Sequence, residues 1–175
     1  MHMQIKAQIT INTNAEKVWR ILAHEFEHID QWAAIINQSS AITNIPAPKE
    51  AKISGRICLA QGFGEVQEIF THYDEQAMRF TYQATKGLPS FFTHVENNWT
   101  VHALGPNQSM AESRAEMDLK FFPGLFIAPI FKLIMSRAGN KFTEELKYYV
   151  ENDQAHPRKL KTLQKQTQKT STPLS

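Results

Sequence analysis

The sequence predicts an α+β domain, with an antiparallel sheet of about seven strands, two short helices after the first strand and a long helix near the C-terminal end. Three observations lead there. Apolar and polar residues alternate with period two in several segments between Ile5 and Leu119. Turn residues separate these segments at hairpin spacing, which argues for antiparallel pairing. The stretch Phe121 to Met135, FFPGLFIAPIFKLIM, then carries one charge, Lys132, in 15 residues and runs into an amphipathic segment ending at Glu151. Helices at both ends of a run of strands place the long helix on one sheet face.

Ile5, Ala7, Ile9 and Ile11 alternate with Lys6, Gln8, Thr10 and Asn12, the pattern of a half-buried strand. Thr13-Asn14-Ala15-Glu16 fits a capping box in which Thr13 and Glu16 satisfy free N–H groups at a helix start. Val18, Trp19, Leu22 and Phe26 follow at helical spacing, and Asp30 is placed to cap a second short helix over Gln31 to Ile35. From Ser39 the period becomes two. Ile53, Gly55, Ile57 and Leu59 alternate with Ser54, Arg56, Cys58 and Ala60, which puts Cys58 on the polar face.

Gln61-Gly62-Phe63-Gly64 reads as a turn, since no G-K-[ST] follows to make a phosphate loop. Val66 to Tyr73 is a strand whose inward face the pattern leaves open, so that Glu68 and His72 are candidates for the interior. The next strands present Met78, Phe80, Tyr82 and Ala84 on one face, then Val95, Asn97, Trp99, Val101 and Ala103. Ala111, Ser113, Ala115, Met117 and Leu119 alternate cleanly with charged residues. Pro123-Gly124 ends that strand, and Pro129 is tolerated in the first turn of the long helix. A helix apolar nearly all round needs a second apolar surface, such as a cavity, a membrane or another subunit.

A chain of 175 residues with 42% hydrophobic content suffices for one domain with a sizeable core and a tail. The net charge of +2 hides an asymmetry. All 17 acidic residues lie at or before Asp153, so residues 1–153 carry −3 (14 basic against 17 acidic), while Arg158, Lys159, Lys161, Lys165 and Lys169 give the tail +5. The expected organisation is a domain over 1–153 and a disordered tail over 154–175, rich in Lys, Gln, Thr and Ser. The single cysteine excludes an intramolecular disulfide. With no basic and apolar leader at MHMQIKAQITI, and no run of the ~20 apolar residues a spanning helix needs, a cytoplasmic protein is expected.

Ala15-Glu16-Lys17-Val18-Trp19, Asp30-Gln31-Trp32, Glu68-Ile69-Phe70-Thr71-His72-Tyr73-Asp74, Asn98-Trp99-Thr100-Val101 and the closing helix through Phe142, Leu146 and Tyr149 resemble the START-like superfamily. This group is also called SRPBCC or Bet v 1-like, and the chain is most similar to its polyketide cyclase/dehydrase and lipid-transport group. The resemblance covers about residues 3–151. It implies a helix-grip fold, with a curved sheet wrapped on the long C-terminal helix and an apolar cavity between them. That cavity would give Phe126, Ile130, Phe131 and Ile134 their second apolar surface. The superfamily includes lipid carriers, aromatase/cyclases, hormone receptors, chaperone activators and oxygenase domains, so the fold leaves function open. The histidine–carboxylate iron set of the oxygenases has no match in this sequence.

The function expected is binding or transport of a small hydrophobic ligand, a lipid, fatty acyl or polyketide-like molecule. The expected lining is Phe80, Tyr82, Asn97, Trp99, Met117, Phe126, Ile130 and Ile134. Asn97 and Tyr82 bring polar atoms to an apolar face, where they orient a ligand or bond another core group. Trp19 and Trp32 read as core anchors, and Ser113 as a small residue making room for the helix. The alternatives are a cyclase/dehydratase enzyme, for which Tyr82 and Asn97 are sparse equipment, and a membrane or protein interaction module.

His24-Glu25-Phe26-Glu27-His28 matches H-E-x-x-H, but its histidines fall about 200° from Leu22 and Phe26 by ~100° per residue, toward solvent. No metal and no cofactor are therefore expected, and no catalytic residue is assigned. His94, Glu96 and His102 share a strand face that reads as solvated. Nucleic acid is not an expected partner, because no aromatic residues interleave with the basic tail. The tail offers electrostatic contact with an anionic membrane.

Overall fold

The computed structural model describes residues 1–120 and 127–170. Strand β1 (His2–Ile11) leads into helix α1 (Ala15–Trp19), then a π turn (Arg20–His24) and a 3-10 helix (Phe26–Gln31). Strands β2 (Ile36–Ile42), β3 (Gly55–Ala60), β4 (Gly64–Asp74), β5 (Arg79–Lys86), β6 (Phe92–Gly105) and β7 (Gln108–Leu119) follow. Helices α2 (Ile127–Asn152) and α3 (Pro157–Thr170) come last. The seven strands form one antiparallel sheet in the order β1-β7-β6-β5-β4-β3-β2, with the two ends of the order, β1 and β2, as its edges. Consecutive strands are neighbours everywhere except β1 and β2, which lie at opposite edges, so a meander from β2 to β7 returns the chain beside β1.

The alternations in β1 and β7 turn Met3, Ile5, Ala7, Ala111, Met117 and Leu119 inward, as expected of strands with one face on a core. The helical segment after β1 departs from expectation. Its N-cap is Asn14, whose side chain accepts from the Lys17 N–H at 2.8 Å, rather than Thr13. After one turn of α-helix the backbone widens and then tightens. Phe26 to Gln31 are therefore in 3-10 helix, and the helix expected after Asp30 is a turn. The irregular path delivers Val18, Trp19, Leu22, Phe26 and Trp32 to one cluster, which a straight helix with its single stripe would not do.

Two strands also differ. In β3 the polar set faces inward: Arg56 and Cys58 are buried, while Leu59 is exposed. The Arg56 guanidinium is held by Glu68 at 2.5 Å and the Phe26 carbonyl at 2.8 Å, and lies 3.7 Å from the Phe26 ring centroid. A buried charge so paired survives in a core. Gly55 permits this approach of β3 to β4, since a Cβ there would stand 2.0 Å from the Glu68 carbonyl oxygen. In β4 an extra residue at Thr71 shifts the register between Phe70 and His72, so that Phe70 and Tyr73 both reach the core while His72 is exposed. Glu68 is the candidate that goes inside, as the partner of Arg56.

The expectation of an unstructured tail does not hold for residues 157–170. Pro157 opens α3, a position that suits its fixed φ. Arg158 then donates to Glu145 at 2.8 Å, Glu144 at 2.9 Å and the Lys141 carbonyl at 3.0 Å. Lys159 is buried and donates to the Ile36 carbonyl at 2.5 Å. Basic residues that composition assigns to solvent are the pins that dock this helix. Burial pushes the Lys159 pKa down against the raising effect of Asp30 and Glu145.

Candidate functional site: a cavity between sheet and helices

A cavity of about 530 Å³ lies between the sheet and the helices, within the ~300–1,000 Å³ typical of small-molecule sites. The sheet wall is one row across four strands: Tyr82 opposite Asn97, Asn97 opposite Ala115, Ala115 opposite Ile5. Ser113 and Ala7, paired in the next row, and Met117 extend it. The helical wall comes from Met135, Ala138, Gly139 and Phe142 on α2, and from Arg158, Lys161, Thr162 and Lys165 on α3. The space exists because the residues that meet there are small. Ala7, Ser113, Ala115, Ala138 and Gly139 leave a volume that larger side chains would fill to core density.

Among the apolar side chains of the sheet wall runs a short polar chain. The Ser113 hydroxyl donates to Asn97 Oδ1 at 2.8 Å, and Asn97 Nδ2 donates to the Tyr82 phenol oxygen at 3.1 Å. The Tyr82 proton has no acceptor among the described residues. Burial, with the Glu68 carboxylate nearby, pushes the phenol above its ordinary range against the lowering effects of Arg56 and Asn97. Tyr82 is thus a proton-bearing donor at neutral pH and a poor base. Glu145 is the one carboxylate among the described lining residues, and it is taken by Arg158 at 2.8 Å and by the Ala34 N–H at 2.9 Å.

Of the expected lining, Tyr82, Asn97 and Met117 meet at this cavity. Phe80 and Trp99 instead join the packed aromatic cluster beside it. Ile130 and Ile134 lie on the outward side of α2, 59% and 57% exposed, while Phe131 and Met135 pack on the sheet. The surplus apolar surface of the helix therefore points away from the cavity. Phe126 lies outside the described residues. Sequence reasoning missed Ala7, Ala115, Ala138 and Gly139, whose signal is smallness on an inward face, and missed α3 entirely.

The H-E-x-x-H residues do not converge. His24 does not face open solvent but bonds Glu75 at 2.8 Å, while His28 is exposed, in the 3-10 segment. Among the described residues no group of three His, Cys, Asp or Glu is placed to hold a metal ion. Cys58 is buried, and burial raises its pKa despite Arg56, so the thiol stays protonated. On the outer sheet face His94 meets Gln83 at 3.2 Å, and His102 is exposed. No helix among the described residues is long and apolar enough to cross a membrane.

A curved antiparallel sheet closed by one long C-terminal helix over a cavity defines the helix-grip class of START and Bet v 1-like proteins. Solved structures agree at the level of fold. A START superfamily protein from Mycobacterium smegmatis superposes with a TM-score of 0.68 at 19% identity, over 86% of this chain and 98% of that one. Ara h 8.0201 gives 0.61 at 12% identity, over 86% and 98%. The di-domain ARO/CYC BexL of the BE-7585A biosynthetic pathway gives 0.66 at 13% identity, over 85% of this chain and 46% of that one. No curated protein sequence matches at a significant level. The sequence profile of the polyketide cyclase/dehydrase and lipid transport family matches residues 2–151, and the chain belongs to that family.

Proposed function

We propose that this protein binds and carries a small, largely apolar molecule, of lipid, fatty acyl or polyketide-like character, in the cavity between sheet and helices. The observation that carries this reading is the cavity itself: about 530 Å³ with a largely apolar sheet wall, and one polar chain on that wall ending in a free proton at Tyr82. Transfer of an apolar ligand from water contributes about 25 cal/mol per Å² buried. Tyr82 adds direction by donating to a ligand carbonyl or hydroxyl oxygen. Titration with a neutral, environment-sensitive apolar fluorophore tests the reading. Ala115→Phe projects a ring into the cavity and is expected to weaken binding more than tenfold. Equal binding by both proteins would place the ligand elsewhere.

A second reading, a cyclase or dehydratase on the same scaffold, is favoured by the family membership and by Tyr82 as a protonated donor to a developing enolate. It requires a base, and the lining carboxylate Glu145 is already engaged by Arg158. Turnover of a polyketide-like substrate that disappears in Tyr82→Phe is the result that supports it.

A further inference from the structure

Helix α3 lies beyond residue 151, where the family match ends, yet it forms part of the cavity wall. Its contribution is charged. Arg158, Lys161, Thr162 and Lys165 fall at i, i+3, i+4 and i+7, one face of a helix, and all four line the cavity. Lys141 joins them from α2. Arg158 is committed to Glu144 and Glu145. Lys141, Lys161 and Lys165 have no ion-pair partner among the described residues, and the one lining carboxylate, Glu145, is turned to Arg158 and Ala34. The cavity therefore carries three uncompensated cations on its helical wall, while its sheet wall is largely apolar.

Resting on the reading of this cavity as a ligand site, we propose that the ligand is an amphiphile with an anionic headgroup, carboxylate or phosphate, which Lys141, Lys161 and Lys165 receive at the α2–α3 wall while the apolar chain lies against the sheet. Lys141, Lys161 and Lys165 are exposed, so a headgroup they hold remains in contact with water. Attraction of this kind is screened by salt, whereas the apolar contribution is not. Selectivity for the anion is therefore highest at low ionic strength.

The test compares hexadecanoic acid, hexadecyl phosphate and hexadecanol, which share a chain length and differ in headgroup, by displacement of the neutral fluorophore from the full chain. The wild type is expected to bind at least one anionic ligand about tenfold or more tighter than the alcohol, the range of a few charge-assisted contacts. Lys141→Gln/Lys161→Gln/Lys165→Gln is expected to erase that preference, bringing the anions to the variant's own affinity for hexadecanol, and the three Lys→Arg replacements to retain it. Which anion binds tighter assigns the headgroup as carboxylate or phosphate. Equal affinity of the wild type for alcohol and both anions overturns the anionic headgroup and leaves the cavity reading standing. The same holds if the preference persists in the triple glutamine variant. If no ligand displaces the fluorophore, the cavity reading itself fails, and this inference with it.

Discussion

One row of the sheet contains both halves of this molecule. Phe80 stands opposite Trp99, Trp99 opposite Ser113, and Ser113 opposite Ala7. At the β5–β6 end the side chains are large, and the irregular helical segment fills the space over them. Phe26, Phe70 and Phe80 meet there with ring centroids 4.3–5.6 Å apart. The void left among Leu22, Trp32, Phe80 and Trp99 is only about 10 Å³, at most the ~10–15 Å³ a water needs. At the β7–β1 end the same row falls to Ser and Ala, and α2 and α3 span about 530 Å³ of open space. The fold does not decide which half is hollow; residue volume does. Stability should therefore reside in the filled half and ligand affinity in the hollow one, and substitutions should separate the two.

The largest expected effect is on the filled side. Phe80→Ala removes a fully buried ring from the aromatic cluster and should cost about 3–5 kcal/mol in urea unfolding. A loss below ~1 kcal/mol, the range of an exposed site, would mean the cluster is not packed as described. Next comes Glu68→Ala, which leaves Arg56 buried without its carboxylate. A cost of about 3 kcal/mol is expected, the lower end for a broken buried pair, because Glu68 keeps some exposure. Replacing both members by Met and Leu should recover most of it.

On the hollow side the ranking inverts. Ala115→Phe should leave the free energy of unfolding in urea within about 1 kcal/mol of wild type and still exclude ligand. Tyr82→Phe removes the donor at the end of the polar chain. Affinity for a ligand with a carbonyl oxygen should fall about fivefold, near 1 kcal/mol, and affinity for a pure hydrocarbon should not change.

The smallest effect tests neither half but the outer sheet face. Glu112 accepts from Lys6 at 2.8 Å and Arg114 at 2.7 Å, and the Lys6 contact above all holds its pKa below the ordinary carboxylate value. A carboxylate lowered in the folded state adds stability above its unfolded pKa of about 4.3. That stability is lost as pH falls through the folded value. Glu112→Gln should therefore flatten the decline in stability below about pH 4 without touching ligand binding.

How much of this was legible in the sequence follows the same division. Strands β1, β5, β6 and β7 were readable because one face meets the interior and the other meets water, so alternation reports direction. Strand β3 was misread because its interior is polar: Arg56 and Cys58 look like surface residues until Glu68 and Phe26 are seen to hold the guanidinium. The facing of β4 was undecidable because the extra residue at Thr71 breaks the period that the reading depends on.

Alternation placed Tyr82, Asn97 and Met117 on inward faces, and all three line the cavity. The residues that make the space were not, because a cavity is written as the absence of volume at Ala7, Ala115 and Gly139. Ile130 and Ile134 were misplaced because an apolar helix announces its need for partners without saying which side faces them. The tail was misread because composition averages over positions. Arg158 and Lys159 act one by one, through Glu144, Glu145 and the Ile36 carbonyl.

The central claim is that the hollow half holds an apolar molecule. Native mass spectrometry of the purified protein, before and after incubation with hexadecanoic acid and followed by denaturation and extraction, tests it most directly. The account predicts one bound apolar molecule per wild-type chain and an empty Ala115→Phe protein. Equal loading of the two, or a wild type that stays empty after incubation with the acid and with hexadecanol, would contradict it.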